Sequence, residues 1–407
     1  MRRFAIIWFG QVVSLLGSAM TWFAFTIWAW EKTGKASALA TISFFAFLPT
    51  VLLMPLAGAF VDRWNRKLVM LLSDLATAIG TLTIFLIYTF GTLQLWHIYV
   101  VSILAGFFTA FQYPAYAAAV TTLLSKEDYA RAQGMLGSSR ALSGILAPIF
   151  AAALLGLIGL RGIMLIDLTT FLFAFGTLIF IPIPRPKQTK VGLQSKGTLW
   201  QEIRFGFRYI QERESLRSLT VLFMLVSIFL AIGATLTAPL ILSLTNSSES
   251  ALATVQSLGA VGGIAGGVIL GLWGGTKHRI HNVLLGGAGA CALGILWLGL
   301  SQTIFYWAIG NFFFAFFEPF VEGGNLAIWQ TKVEADVQGR VFSARQLLVQ
   351  LPYLFGILSA GYLAEAKAIA TVLIFTGIIG ATLFLFGYLS SQIRDAEKLL
   401  PDPTESI

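Results

Sequence analysis

Charge is scarce in this chain of 407 residues. Only 11% of them are Asp, Glu, Lys or Arg, against about a quarter in a soluble domain, and 57% are hydrophobic. With a mean hydropathy of +0.80, these figures exclude a soluble globular protein and imply a membrane-spanning one. Cysteine is nearly absent. The single Cys291 excludes an intramolecular disulfide and, lying inside an apolar run, reads as a packed, inert thiol. Three chemical signatures are missing as well. Without a G-x-x-x-x-G-K-[ST] phosphate loop there is no ATP-driven pump. Without H-E-x-x-H or G-x-S-x-G there is no sign of an intramembrane protease or serine hydrolase. The expectation is therefore a non-enzyme with no cofactor and no metal, drawing any energy it uses from gradients. His278 and His281 belong to a basic loop, and two surface histidines are too few ligands for a metal.

What the chain does have is long apolar runs. A helical span takes roughly 20 such residues, and twelve stretches qualify, near residues 4–30, 38–60, 68–90, 97–123, 136–156, 163–182, 217–243, 251–274, 282–300, 303–329, 346–365 and 368–390. The first begins with Arg2 and Arg3 like a signal peptide. Its apolar run is too long for one and no small-residue cleavage site follows, so it reads as an uncleaved span. The net charge of +8 does not point to nucleic acid, because its distribution follows the loops. If both termini are cytoplasmic, all of the 27 lysines and arginines except Lys32, Lys35, Arg161 and Lys367 fall on the inner side. This is the positive-inside pattern of a multi-pass protein of the inner (plasma) membrane.

The chain divides in two. Residues 1–183 form an expected N-terminal six-helix bundle, 184–216 a cytoplasmic linker, 217–390 a C-terminal bundle and 391–407 a cytoplasmic tail. Prolines in IPIPRPKQTK stop the sixth span. Thr198 and Gln201 then make a capping box for a helix whose face of Trp200, Ile203, Phe207 and Ile210 opposes Arg208, Glu212 and Arg213, as expected of a helix lying on the inner leaflet. The halves also echo each other. Pro114 to Arg140 and Pro319 to Arg345 are the same length, and Gln133 and Gly134 recur as Gln338 and Gly339 at the same offset. Internal repeats of this kind mark transporter folds. In the eighth run Gly263, Gly267, Gly271 and Gly275 are spaced by four, which predicts close helix packing.

Ionisable groups at membrane depth cost several kcal/mol unless paired or facing water, and each is a functional candidate. Glu318 and Glu322 share a face of the tenth span, with no basic residue nearby in sequence. Two carboxylates so close do not both ionise cheaply, which suits the pair to carry a proton or attract a cation. Asp74, near the inner end of the third span, and Asp167, near the outer end of the sixth, read as structural. Gln11, Asn311 and Asn325 add hydrogen-bonding groups. Trp22, Phe25, Trp28 and Trp30 make the first span strongly aromatic, as an interface belt or as the wall of a cavity.

The densest polar stretch between two spans is GAFVDRWNRK. Its Gly58, Asp62, Arg63, Arg66 and Lys67 match G-x-x-x-D-R-x-x-R-[KR] position for position. This is the loop signature of the major facilitator superfamily, which the chain resembles over nearly its full length. The second-half copy, GGTKHRIH from Gly274 to His281, keeps Lys277 and Arg279 but has no acid. FAIIWFGQVVSLLGSAM, EKTGKAS, QYPA leading to SKEDYARAQGMLGSSRALSG, and VQGRVFSARQ resemble the branch holding macrolide efflux proteins and the enterobactin exporter. The resemblance implies an all-α fold of twelve transmembrane helices in two pseudo-symmetric six-helix bundles, with spans one, four, seven and ten around a central cavity exposed alternately to either side. It implies that Asp62 is a conformational latch, with Arg63, Arg66, Lys67, Arg140 and Arg345 around it, and that Glu318 and Glu322 border the cavity. Three departures are visible. Ala105 stands where many family exporters carry an arginine linked to proton coupling. The fifth-span G-P-x-x-G-G signature reads Ala147, Pro148, Ile149, Phe150, Ala151, Ala152. The paired glutamates lie outside the branch's usual pattern.

The expected activity is export of an amphipathic small molecule, such as a drug, macrolide or siderophore, by a monomeric secondary transporter in the lipid bilayer, through proton-coupled antiport. In this expectation Glu318, Glu322, Gln11, Trp22, Phe25, Asn311 and Asn325 bind substrate or proton. Gly58, Asp62, Arg63, Arg66, Lys67, Asp74, Gly134, Arg140, Gly339 and Arg345 serve conformational change. A lipid or lysolipid flippase or uniporter is the alternative, and a non-transporting scaffold a further one.

Overall fold

A computed structural model describes residues 1–124, 128–181, 199–276, 278–334 and 337–399, and these are helical with no strand among them. The helices are α1 Arg2–Thr33, α2 Ala36–Arg63, α3 Arg66–Phe90, α4 Leu95–Leu123, α5 Tyr129–Phe180, α6 Leu199–Glu212, α7 Glu214–Leu244 and α8 Glu249–Trp273. There follow α9 Arg279–Gly289, which runs on through a π-helical stretch, Ala290–Leu296, into Trp297–Leu300, then α10 Ile304–Lys332, α11 Gln338–Ala366 and α12 Ile369–Phe386. Two short turns, Ser391–Arg394 and Ala396–Leu399, close the described chain. Among the described residues eleven helices are long and apolar enough to cross a membrane, one fewer than the sequence suggested. The difference lies in α5, which has 52 residues. At 1.5 Å per residue it would run about 78 Å, more than twice the roughly 30 Å hydrocarbon core. Its path breaks at Gly159, with φ 64° and ψ −177°, a conformation open only to glycine without strain. Residues 129–158 and 160–180 are thus separate rods joined without a loop, where the sequence suggested two spans at 136–156 and 163–182.

The chain forms two compact units, one of Met1–Gly34 and Thr41–Lys196, the other of Lys35–Ala40 and Gly197–Ile407. The expected linker at 184–216 is described from Leu199 onward; Thr198 lies outside the described residues, as do the side chains of Trp200, Gln201 and Ile203.

In the first unit the α2–α3 turn is a built junction. Asn65 caps α3, its Oδ1 accepting from the backbone N–H groups of Lys67 at 3.1 Å and Leu68 at 3.5 Å. Lys67 then reaches across to the end of α5, where its Nζ donates to the carbonyls of Ile179 at 2.7 Å and Ile181 at 3.0 Å. The last carbonyls of a helix lack partners within it, and a cation there also meets the negative end of the helix dipole. Trp64 stacks on Phe111 at 6.2 Å and against Phe60 at 5.2 Å. Lys67 therefore ties the start of α3 to the end of α5. Lys67→Ala should remove about 1 kcal/mol and lower the apparent Tm of the purified protein by a few degrees, while Lys67→Arg should retain most of it; equal melting of all three would remove this role.

In the second unit α8 and α10 approach closely along Gly259, Gly262 and Gly266. A Cβ added at Gly262 would meet the carbonyl oxygen of Phe312, and one at Gly266 that of Phe316. The expected row lies one residue over: Gly263 and Gly267 have their nearest neighbours at 3.8 and 4.0 Å, and Gly271 faces open space. Both rows have small residues every three or four positions, so spacing alone does not tell the packed one from its neighbour.

Helix α6 docks on the second unit through buried Tyr209 and Ile210, so part of its apolar stripe covers protein rather than lipid. The Tyr209 hydroxyl donates to Glu334. Arg213 lies 3.7 Å from the same carboxylate and 3.5 Å above the Tyr209 ring. The Tyr209 hydroxyl first, with help from the Arg213 charge, holds the Glu334 carboxyl below its ordinary value. A depressed folded-state value means that this contribution to docking is full above about pH 4.3 and is lost as pH falls through the folded value. Hydrogen exchange across α6 should therefore be faster at neutral pH in Glu334→Gln than in the native chain, with the two converging in acid; identical exchange at neutral pH would contradict this.

Candidate functional site

Polar residues at helical spacing build a cavity inside the first unit. Gln11, Ser14, Ser18 and Trp22 follow on one face of α1, and Asp74, Thr77 and Thr81 on one face of α3. Ala105, Thr109 and Gln112 on α4, with Asp167 and Phe171 on the second rod of α5, complete a wall around about 320 Å³. Both aspartates are buried. Asp74 accepts from Gln11 Nε2 at 2.9 Å and from Gln112 Nε2. Asp167 accepts from Ser18 Oγ at 2.9 Å and Thr81 Oγ1 at 3.0 Å. Among the described residues neither aspartate is salt-bridged. A second cavity of about 250 Å³ adjoins the first, with Gln11, Leu15, Thr109 and Gln112 in the walls of both. Trp8, Tyr116, Gln133 and Arg140 line its other parts. Trp8 is fixed there by donating to Met135 O at 2.9 Å, and the buried Tyr116 hydroxyl has no hydrogen-bond partner.

The second unit carries its own polar cavity, about 310 Å³, lined by Glu322, Gly323, Leu326, Arg345, Gln346, Val349 and Gln350. Glu322 was the acid with no base near it in sequence. Folding supplies one, because α11 brings Arg345 to 4.0 Å from it. Arg345 is nearly buried, its guanidinium 5.4 Å from the Trp329 ring and 5.9 Å from that of Phe223. The glutamate side chain remains 61% exposed. A contact at 4.0 Å is attraction without a formed hydrogen bond, so the carboxylate keeps its acceptor positions for another cation. Glu318, one turn back on α10, is also exposed; Glu322 and Tyr353 of α11 lie close to it.

The other predicted residues fall into different settings. Trp22 lines the first cavity, whereas Phe25 lies in the core, edge-on to Trp22 at 5.8 Å. Asn311 Nδ2 donates to Val255 O at 2.9 Å and so serves the α8–α10 contact. Asn325 is fully buried and accepts from Trp329 Nε1 at 3.1 Å. Asp74 turns inward to the two glutamines. Arg66 is half-buried, and Gly134 and Gly339 are exposed with open space around them. The surroundings of Gly58 and the side chains of Asp62 and Arg63 lie outside what is described, as does Lys277. Sequence reasoning missed Gln112 and the joint role of Ser18 and Thr81, although their spacing of three and four residues from other polar groups was a readable signal.

A family model described as the Major Facilitator Superfamily matches residues 7–357. The chain belongs to the major facilitator superfamily. It is accordingly a multi-pass membrane transporter and not an enzyme. Macrolide efflux protein A of Streptococcus pyogenes is 26% identical to it over 403 residues, covering 96% of each chain. The MFS-type transporter YvqJ of Bacillus subtilis is 24% identical over 407 residues, covering 97% of this chain and 94% of its own. Among solved structures, a POT family transporter in complex with 5-aminolevulinic acid superposes with a TM-score of 0.75 at 11% identity, covering 98% of this chain and 97% of that one. A bacterial homologue of the iron transporter ferroportin does so with a TM-score of 0.66 at 16% identity, covering 95% and 98%. At such identities these structures speak to the fold alone. Within this superfamily transporter, acidic groups stand beside a cavity in each half: two aspartates within the first and a glutamate facing an arginine in the second.

Proposed function

We propose that the protein exports an amphipathic, cationic small molecule of the macrolide kind from the cell by alternating access, coupled to proton entry. The observation that carries this reading is likeness to macrolide efflux protein A along 96% of both chains. The geometry supports it. Glu322, mostly exposed at the Arg345 cavity, with Glu318 one turn away, offers negative charge to a substrate amine or a proton. Trp22 supplies an aromatic wall. The basic α2–α3 turn, with Asp62 as its latch, works in conformational change, and the lysine and arginine distribution favours cytoplasmic termini. The transporter works as a monomer in the plasma membrane.

The test is cellular. Expressed in bacteria stripped of their own efflux pumps, the chain should lower steady-state erythromycin accumulation and raise the inhibitory concentration, and dissipating the proton gradient should cancel both. Unchanged accumulation across a panel of macrolides, siderophores and lysolipids would remove the export reading.

A further inference from the structure

Gln133 and Gln338 hold equivalent places in the two repeats, Gln133 ahead of Arg140 and Gln338 ahead of Arg345 by the same interval. The fold uses them differently. In the second unit Gln338 Nε2 donates at 2.9 Å to the carbonyls of Gln330 and Val333, at the end of α10, where the last carbonyls have no partner within the helix. Its amide is spent on structure. In the first unit Gln133 is exposed, lines the cavity of about 250 Å³ and, among the described residues, makes no hydrogen bond. An open amide on a cavity wall is a group for a ligand. The neighbouring groups say which kind. Gln11 and Gln112 give Nε2 hydrogens to Asp74, and Ser139 gives its hydroxyl hydrogen to Met135 O at 2.9 Å, so the two carbonyls and the hydroxyl oxygen remain as acceptors. Gln133 adds donors. Trp8, its N–H committed to Met135 O, and Tyr116 supply aromatic rings to the wall.

We propose that this cavity takes a neutral, hydroxyl-bearing ring of the substrate, a sugar by chemical class, and that Gln133 selects for it. The proposal deepens the export reading and rests on it for the choice of a macrolide as probe. Three observations converge. Among the described residues the lining holds no carboxylate and one base, Arg140, so a substrate amine finds no counter-charge there. Acceptors beside a donor amide suit hydroxyls, which give and take hydrogen bonds at once, while aromatic walls suit the C–H face of a ring. Size points the same way. A cavity of about 250 Å³ is smaller than the roughly 300–1,000 Å³ that encloses a drug-sized ligand, so it holds one ring of a macrolide and not the whole molecule. Erythromycin has such a ring, carrying a neutral sugar besides its amino sugar.

The test compares erythromycin with its derivative that lacks the neutral sugar and keeps the amine, both titrated against the full chain in lipid nanodiscs. The native chain should bind erythromycin about five- to tenfold more tightly, the worth of one or two neutral hydrogen bonds. Gln133→Leu should erase that preference by weakening erythromycin alone. Because Gln133 is exposed and makes no bond, the variant should melt like the native chain. Gln338→Leu is the converse control: it should melt earlier and keep the preference. Equal affinities in the native chain, or a Gln133→Leu variant that retains the preference or weakens both ligands alike, overturn the proposal. Flux and a second probe separate it from the export reading. If erythromycin moves but the derivative binds and moves equally well, export stands and this assignment fails. If erythromycin neither binds nor moves, the macrolide reading fails and phenyl β-glucoside reports on the cavity by saturation-transfer NMR. Saturation reaching its sugar protons from the native chain and not from Gln133→Leu supports the sugar site; none from the native chain, or the same from both, overturns it.

Discussion

Placing valine at both Gly262 and Gly266 is expected to abolish folding of the second unit. Each new Cβ meets a backbone carbonyl oxygen of α10, at Phe312 and Phe316, and a backbone atom cannot turn aside as a side chain can. Overpacking of this kind costs about 1–3 kcal/mol per site. Two sites on one contact therefore draw on a large part of a total stability of about 5–15 kcal/mol. The control is the neighbouring row. Valine at Gly263 and Gly267, where the nearest atoms are 3.8 and 4.0 Å from a Cβ, should leave a monodisperse peak in fluorescence-detected size exclusion, and the first pair should lose it. Equal behaviour of the two pairs would mean that α8 and α10 do not meet on this face.

Replacing Glu318 and Glu322 together with glutamine is expected to reduce erythromycin export in everted vesicles to the level of vesicles without the protein. The loss needs separating from a structural effect, because Glu322→Gln also strands the nearly buried Arg345. Pairing Glu322→Gln with Arg345→Met makes the distinction. If holding Arg345 is all that Glu322 does, the double variant recovers export. If Glu322 receives the substrate's charge, folding recovers and export does not. Glu318→Gln alone, which strands no salt-bridged base among the described residues, should also slow export.

The fold was readable because its signals are redundant. Apolar runs, alternating basic loops and the repeat from Pro114 to Arg140 and Pro319 to Arg345 all point to one architecture. The merging of two spans into α5 was not readable, since Gly159 looks like any glycine in an apolar run until its φ is known. The site was only half legible. A stranded acid is visible in sequence, which is why Glu318, Glu322, Asp74 and Asp167 stood out, but its partners come from other helices. Arg345 reaches Glu322 from the next helix, 23 positions on. Gln11 and Gln112 converge on Asp74 from α1 and α4, turning an acid that read as structural into a wall of a cavity. Close contacts are equally hidden, as the one-residue offset between the glycine row on α8 that packs and the one that does not shows.

The central claim is gradient-driven export, and the most direct measurement is erythromycin flux in vesicles reconstituted with the purified chain, with a pH gradient imposed in one direction, then the other, then not at all. The account predicts uphill movement whose direction reverses with the gradient and disappears without it. Movement at the same rate under all three conditions, or none in any of them, would contradict it.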